Sequence, residues 1–324
     1  NVNNYGAVLQ AYALQNSIKK LGCECDIIDY RRKNLRDILL WQKNKVKCLL
    51  KRKPDHQAYT NIEFLQMVLN TMMFNNKVTA AGFTAFRKRL SMSHPVNDES
   101  VRDLNRHYDL FVSGSDQVWN CGRVYIDKSY FLDFVEDEYK KGSYAASFGI
   151  KSIPDKYRED YQELLSGYKY LSVREMSGAT IINELIQRDA KVVLDPTLLL
   201  NKEEWYELIG QINHTKPEIV VYMLEYSKRL LNFAKQLSEK TGYPIRLLNK
   251  PNRHKTDIEY RTDVGPIEWL KEFQNAEYVI TNSFHGVAFS INFNKAFFVE
   301  IAEDRIRGAM SSRIESILAA FGLE

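Results

Sequence analysis

The chain has 324 residues, 44% of them hydrophobic and 27% charged, and its formal net charge is +4, as in an ordinary soluble protein. Its length allows two domains, each with a buried core. No apolar run approaches the roughly 18 residues of a membrane-spanning helix, and no segment resembles a signal peptide, so we expect a cytoplasmic location. Because Asn1 is not an initiator methionine, we expect the first strand of an α/β domain to lie before it.

Four cysteines are present, namely Cys23, Cys25, Cys48 and Cys121. None of their spacings matches a zinc site. We therefore expect free thiols and no bound metal.

Helical and strand patterns alternate along the first half of the chain. Residues 7–18 follow a helical period that Gly22 ends, and residues 25–30 are the next predicted strand. The later elements of this half are strands at 108–112, 141–149, 170–173 and 192–197 and helices at 157–168 and 177–187.

The apolar periodicity weakens between residues 201 and 217, where we place a domain boundary, and the alternation then restarts. Two successive runs of this kind predict two parallel-sheet domains, at 1–205 and 206–310, with a cleft between them. Residues 311–324 contain a last amphipathic helix, which we expect to pack back on the first domain. The second run comprises strands at 219–224, 245–248 and 278–281 and helices at 228–241, 266–274 and 287–291.

A polar turn with Asn282, Ser283 and His285 follows the predicted strand 278–281. At such a turn the helix N–H groups face outward, where α/β sheets bind ligands and anions are favoured. Histidine is the side chain whose unperturbed pKa lies nearest neutrality. A core histidine is the alternative, but a purely structural turn needs only Gly, Asn or Asp. We therefore interpret His285 as functional.

Polar loops also occur in the first half of the chain. Asn4 and Tyr5 precede the first predicted helix. The alternative for Asp116 is that it caps a turn, but so many polar groups after a buried strand favour a ligand loop. The loop after strand 108–112 contains Ser115, Asp116, Gln117 and Asn120.

Arg174 stands at the end of predicted strand 170–173. An arginine at the carboxyl end of a strand can bind a carboxylate or a phosphate through two parallel hydrogen bonds. Pairing with Glu175 or with another acid is an equally good explanation for Arg174.

A basic segment at residues 31–53 contains ten Lys or Arg residues and a single acid, Asp37. Because apolar residues are interspersed, the segment is a candidate for contact with an anionic membrane or a phosphorylated lipid carrier. A solvated charged face is the more usual explanation. Nucleic acid is not expected as a partner, since no regularly spaced aromatic residues accompany the charge.

The chain carries six motifs in order: NNYGAVLQAYALQ (3–15), DLFVSGSDQVWN (109–120), SYAASFG (143–149), LSVREMSGA (171–179), VVLDPTLLL (192–200) and YVITNSFHGVAFSI (278–291). They run through nearly the whole chain. As a set they resemble the polysaccharide pyruvyl transferase family.

The resemblance implies an α/β fold with two Rossmann-like domains facing a cleft, similar to the two-domain glycosyltransferase (GT-B) fold. It implies a transferase that moves a pyruvyl group from phosphoenolpyruvate to sugar hydroxyls in bacterial surface polysaccharide synthesis. Phosphoenolpyruvate is then a co-substrate, no cofactor is expected, and the acceptor is a sugar or a lipid-linked oligosaccharide.

His285 matches the active-site histidine of this family, and Arg174 matches an arginine of its donor site. We take Asp116 as a second catalytic candidate, and Asn282 and Ser283 as further donor-site candidates. Many members carry arginine two residues before the histidine, where this chain has Ser283. Either a cation among Arg253, Lys250 and His254 replaces that arginine, or the donor differs.

Two other functions remain open from the sequence. A nucleotide-sugar glycosyltransferase would use the same cleft and hold a diphosphate at helix N-termini. A non-catalytic carbohydrate-binding protein would keep the cleft without requiring His285 to titrate.

Overall fold

The computed structural model describes residues 3–31, 77–121, 126–210, 216–248, 258, 260–261, 263–301 and 308–324. The helices are α1 Tyr5–Lys20, α2 Lys77–Arg87, α3 Arg158–Ser166, α4 Met176–Ile186, α5 Lys202–Ile209, α6 Lys228–Thr241, α7 Pro266–Asn275, α8 Phe284–Asn292 and α9 Gly308–Phe321. The strands are β1 Phe111–Ser113, β2 Lys141–Ser143, β3 Ser172–Val173, β4 Lys191–Val192, β5 Glu218–Tyr222, β6 Ile245–Leu248, β7 Tyr260–Arg261, β8 Ala276–Thr281 and β9 Ala296–Val299.

The strands of the first half are short and parallel. β1 pairs with β2 and β3 pairs with β4, and the bridges Gly142↔Tyr170 and Ala146↔Val173 join the two pairs. The strand predicted at 141–149 ends at Ser143, because Ala145 has a φ of 52° and donates its N–H to the hydroxyl of Ser172.

The predicted strand at 25–30 is wrong in extent, since the structure has only isolated parallel bridges there, Ile27↔Met92 and Tyr30↔Val96. The N–H of Tyr30 donates to the carbonyl of Ile28, a local bond that interrupts the ladder. Residues 25–30 nevertheless lie beside residues 91–96 in the parallel direction.

The second half contains a five-stranded parallel sheet in the order β7-β6-β5-β8-β9. β5 lies at its centre because Ile219, Val220 and Val221 are β-branched and buried on both faces. The chain runs outward from β5 on one side and then returns to the other side at β8. The strand order therefore reverses between β5 and β8, which is where α/β sheets bind ligands.

Helices α1 and α2 pack into the core of the five-stranded sheet. Leu9 of α1 and Phe83 of α2 join Trp205, Tyr222 and Trp269 in one buried cluster. α1 therefore links the two halves of the molecule. The domain boundary at 205/206 stays a prediction.

Helix α5 occupies the stretch of weakened periodicity at the predicted boundary. Asn201 caps it together with Glu204: each side chain accepts a hydrogen bond from the backbone N–H of the other residue. Glu203 and Glu207 of this helix are exposed, whereas Trp205 and Ile209 are buried.

The last helix, α9, packs through Ile314, Ile317 and Leu318 on Phe284 and Val287 of α8. It also approaches α4 of the first half. α9 is therefore held against α8, the helix that contains His285.

The α/β class with parallel sheets is confirmed by this arrangement. Within the described part of the chain, none of the helices has the length and hydrophobicity needed to cross a bilayer. The basic segment 31–53, apart from Arg31, lies outside the described residues, so its contact with a membrane stays a prediction.

Packing of α1 into the second core can be tested with Leu9, which is fully buried, and Leu21, which follows the helix and is 80% exposed. We expect Leu9→Ala to lower the free energy of unfolding by roughly 2–5 kcal/mol. Leu21→Ala should have little effect. Equal effects of the two variants in denaturant titrations would contradict the packing.

Candidate active site

Four segments meet at one edge of the molecule, and each follows the carboxyl end of a parallel strand. Ser115 and Asp116 follow β1, Arg174 follows β3, Asp195 comes after β4, and His285 opens α8 after β8. This edge is the usual ligand-binding edge of α/β sheets.

Asp116 adopts a backbone conformation that side-chain-bearing residues rarely take, with a φ of 73°. Its carbonyl oxygen accepts hydrogen bonds from the N–H groups of Val118 at 2.8 Å and Ser147 at 3.0 Å, which hold this conformation. Its side chain remains 25% exposed. Strained residues of this kind cluster at functional sites.

Arg174 and Asp195 form a buried ion pair, with side chains 1% and 0% exposed. Arg174 Nη1 donates to Asp195 Oδ2 at 2.7 Å. The same carboxylate oxygen accepts from the hydroxyl of Ser115 at 2.8 Å. The loops after β1, β3 and β4 are thereby joined at one point.

The other oxygen of Asp195 accepts from the N–H of Thr197 at 3.0 Å and from its hydroxyl at 2.7 Å. Burial raises the pKa of Asp195, but the charge of Arg174 and these hydrogen bonds outweigh it and lower the pKa to about 2. Asp195 is therefore ionised throughout the physiological range.

Glu175 is not the partner of Arg174. Its Oε1 accepts from the Ser147 hydroxyl and from the N–H groups of Phe148 and Gly149, at 2.9 to 3.1 Å. Two groups of Arg174 remain without a hydrogen-bond partner, Nε and Nη2. Nη2 lies 3.7 Å from Asp116 Oδ1. Burial opposes ionisation of Asp116, but Arg174 and His285 outweigh it, so its pKa lies below the ordinary value.

His285 is the second residue of α8, and its imidazole packs directly on Gly6 of α1. A Cβ atom at Gly6 would lie 2.1 Å from His285 Nδ1. His285 Nε2 is buried without a hydrogen-bond partner and lies 3.9 Å from Asp195 Oδ2. Burial lowers the pKa of His285 below 6.5 despite the nearby carboxylates of Asp195 and Asp116. The imidazole is therefore neutral at neutral pH, and its contact with Asp195 is not an ion pair there.

Arg313 of α9 reaches the same site and is 6% exposed. The amide of Gln117, oriented with its oxygen toward this arginine, accepts from Arg313 Nη1 at 3.3 Å and Nη2 at 2.7 Å. Both arginines approach Phe284: its ring centroid is 4.3 Å from the guanidinium carbon of Arg174 and 6.0 Å from that of Arg313.

Several residues predicted from the turn after β8 have structural contacts. The hydroxyl of Ser283 caps α8 by accepting from the N–H of Gly286. Asn282 joins β8 to the loop after β5: Oδ1 accepts from the N–H of Leu224 at 2.9 Å, and Nδ2 donates to the carbonyl of Glu225 at 2.8 Å.

Some residues predicted for the acceptor loop have structural contacts, and others lie in the site. Asn4 caps α1 by accepting from the N–H of Ala7. Tyr5 stacks on Trp269 at 5.5 Å and donates its hydroxyl to the carbonyl of Val264. Asn120 donates to the carbonyl of Phe148 at 2.7 Å. Ser115, Asp116 and Gln117 lie in the site, whereas Arg253, Lys250 and His254 lie outside the described residues.

Asp195 and Arg313 were not among the candidates predicted from the sequence. Asp195 lies in the motif VVLDPTLLL, inside the predicted strand 192–197, whereas the structure ends that strand at Val192 and leaves Asp195 in the loop that follows. Arg313 precedes the buried Ile317 by four residues, so a charged residue stands on the apolar face of an amphipathic helix. In the described ranges, no three His, Cys, Asp or Glu side chains are grouped as metal ligands.

The lowered pKa of His285 predicts that stability falls as the pH drops below 6.5. The unfolded chain then binds a proton that the folded protein does not accept. Denaturant titrations at pH 7, 6 and 5 should show this loss in the wild type and a smaller loss in His285→Gln. His94→Gln, at an exposed position, is the matched control. An unchanged pH dependence in His285→Gln would contradict the lowered pKa.

A sequence profile described as "Polysaccharide pyruvyl transferase" matches residues 4–300. No curated protein matches the sequence. One similar solved structure is UDP-GlcNAc 2-epimerase from Neisseria meningitidis bound to UDP-GlcNAc, with 9% identity and a TM-score of 0.45 over 98% of this chain and 89% of that chain. The profile match shows that the chain belongs to the polysaccharide pyruvyl transferase family and is a transferase.

Proposed function

We propose that the protein transfers a pyruvyl group from phosphoenolpyruvate to two hydroxyls of a sugar in a bacterial surface polysaccharide, forming a cyclic ketal. The observation that carries the proposal is His285: a buried, neutral imidazole whose Nε2 has no protein partner. Family membership supports pyruvyl transfer onto a polysaccharide.

The reaction moves protons at three places: at the methylene carbon of phosphoenolpyruvate and at each of the two sugar hydroxyls that add to the adjacent carbon. The methylene carbon of phosphoenolpyruvate gains a proton, and a sugar hydroxyl adds to the adjacent carbon and loses its proton. The bond from that carbon to the phosphate oxygen then breaks, and phosphate leaves. A second hydroxyl adds, and its proton goes to the departing phosphate, so that atoms and charges balance.

His285 is suited to the first exchange. A neutral imidazole accepts the proton of the attacking hydroxyl and, once charged, donates one to the methylene carbon. The carboxylates of Asp195 and Asp116 favour the imidazolium that forms between these steps. Asp116, ionised and partly exposed, can accept a hydrogen bond from the sugar hydroxyl and hold it next to His285.

The anionic groups of phosphoenolpyruvate require donors. Candidates are the unpartnered N–H groups of Arg174 and, in the turn before α8, Ser283 and Asn282. We also propose Arg253 and Lys250 as residues of the donor site. For the acceptor we propose a sugar or a lipid-linked oligosaccharide, which residues 31–53 would hold at an anionic membrane. The proposed location is the cytoplasm, with no cofactor beyond phosphoenolpyruvate.

Phosphoenolpyruvate binding and phosphate release test the function. Isothermal titration calorimetry with wild-type protein should detect binding, and a panel of methyl glycosides of hexoses and N-acetylhexosamines should identify an acceptor that triggers phosphate release. We expect His285→Gln to bind phosphoenolpyruvate but to lose turnover by roughly 10²–10⁴-fold, the usual contribution of a positioned acid or base. Arg174→Gln should weaken donor binding as well as turnover.

A nucleotide-sugar reaction is the competing outcome of the same experiment. UDP-sugars and GDP-sugars are tested in parallel in a thermal-shift assay. Only a ligand that binds the folded state raises the melting temperature. Binding of a nucleotide-sugar without binding of phosphoenolpyruvate would overturn the proposal. Normal turnover by His285→Gln would overturn the role of the imidazole.

The contact between Gly6 and His285 provides an independent test. The methyl group of Gly6→Ala would overlap the imidazole, so we expect the ring to move and turnover to fall by about 10²-fold. Gly167→Ala is the control, since a Cβ there meets only ordinary contacts at 3.5 Å or more. Equal turnover by the two variants would show that the position of His285 does not limit the reaction.

A further inference from the structure

Arg313 is brought to the site by α9, a helix anchored on the same element that carries His285. Ile314, Ile317 and Leu318 pack on Phe284 and Val287 of α8. The position of Arg313 relative to His285 is therefore fixed by an apolar contact between two helices.

The guanidinium of Arg313 is buried without a matching negative charge. Its only hydrogen-bond acceptor among the described residues is the neutral amide oxygen of Gln117, and its Nε has no partner. None of the carboxylate oxygens of the described residues lies within 4.0 Å of the guanidinium nitrogens of Arg313.

The surroundings make this burial unfavourable. Burial and the charge of Arg174 lower the pKa of Arg313 to about 10, although Asp116, Glu175 and Asp195 favour its charged form. Those carboxylates have other partners: Asp195 is bonded to Arg174, Ser115 and Thr197, Glu175 accepts three hydrogen bonds in another loop, and Asp116 faces Arg174. A buried charge without an ion pair destabilises the folded state.

We propose that Arg313 binds the anionic group of the ligand, a carboxylate or phosphate of a small oxyanion, in the space beside Phe284 and His285. A planar guanidinium donates two parallel hydrogen bonds to such a group. Arg174 already has an ion-pair partner in Asp195, although two of its N–H groups stay available for hydrogen bonds. Arg313 is therefore the arginine whose ion-pair partner is supplied by the ligand. The identification of that ligand as phosphoenolpyruvate rests on the function proposed above.

Arg313→Met separates binding from folding. Methionine keeps the length and apolar stem of the side chain and removes the charge, so we expect an unchanged or higher melting temperature. Affinity for the oxyanion should fall roughly 10- to 100-fold, as for loss of charge-assisted hydrogen bonds. Arg313→Lys is the second variant, which keeps the charge but loses the paired donors, and it should also bind at least tenfold more weakly. Arg229→Ala, at an exposed position of α6, is the matched control.

Isothermal titration calorimetry with phosphoenolpyruvate, pyruvate and inorganic phosphate distinguishes the possible sources of the anionic group. Loss of pyruvate binding in both variants assigns Arg313 to a carboxylate, and loss of phosphate binding assigns it to a phosphate. If phosphoenolpyruvate binds wild type and both variants equally, Arg313 is not a ligand-binding residue, while the proposed function stands. If wild type binds pyruvate or phosphate through Arg313 but not phosphoenolpyruvate, the proposed function fails and this inference stands. Wild-type protein that binds none of the three overturns both.

Discussion

The buried ion pair between Arg174 and Asp195 is the interaction on which the site depends. The side chains of Arg174 and Asp195 are 1% and 0% exposed, so both charges have lost their hydration. Their mutual attraction offsets this desolvation only because further hydrogen bonds stabilise the charged groups. Ser115 and Thr197 provide the remaining hydrogen bonds of Asp195. Removing one partner of such a pair typically destabilises a protein by roughly 3–5 kcal/mol, since the other charge stays buried.

The ion pair also holds three loops together and places a negative charge near His285. It joins the loops after β1, β3 and β4, and the same carboxylate lies 3.9 Å from His285 Nε2. Asp195 therefore belongs both to the structural ion pair and to the surroundings of His285, the proposed catalytic residue. The structural explanation for Arg174, pairing with an acid, and the functional one are both compatible with this arrangement, because two of its N–H groups remain unpartnered.

Local patterns predicted helices α6 to α8 of the second half and three of the five strands of its sheet, β5, β6 and β8, but not β7 and β9. Helix α6 and strand β6 have the predicted bounds, 228–241 and 245–248, because the apolar residues of α6 follow a helical period and Gly242 and Pro244 separate the helix from the strand. The first half was predicted less well. Its strands are only two or three residues long, and side-chain hydrogen bonds such as that from Ala145 to Ser172 replace parts of the ladder.

Site residues were predictable from the sequence where a polar side chain comes directly after a strand. This is the case for His285, Arg174, Ser115 and Asp116. Contacts between distant segments were not predictable from periodicity. The packing of Gly6 against His285 and the pairing of Arg174 with Asp195 depend on how separate elements dock. Asn282 and Ser283 were predicted as ligand-binding residues, but both bind backbone groups: Ser283 caps α8, and Asn282 bonds the loop after β5.

The packing of α1 and α9 around His285 has a consequence for how the protein gains activity. Gly6 lies in the first turn of α1, and Arg313 lies in α9, far along the chain. A site with such separated parts forms only after contacts of long sequence separation are made, which are the slow steps of folding. Partly folded chains with native-like secondary structure would therefore lack the assembled site. The chemistry is thus confined to molecules that have completed their tertiary packing.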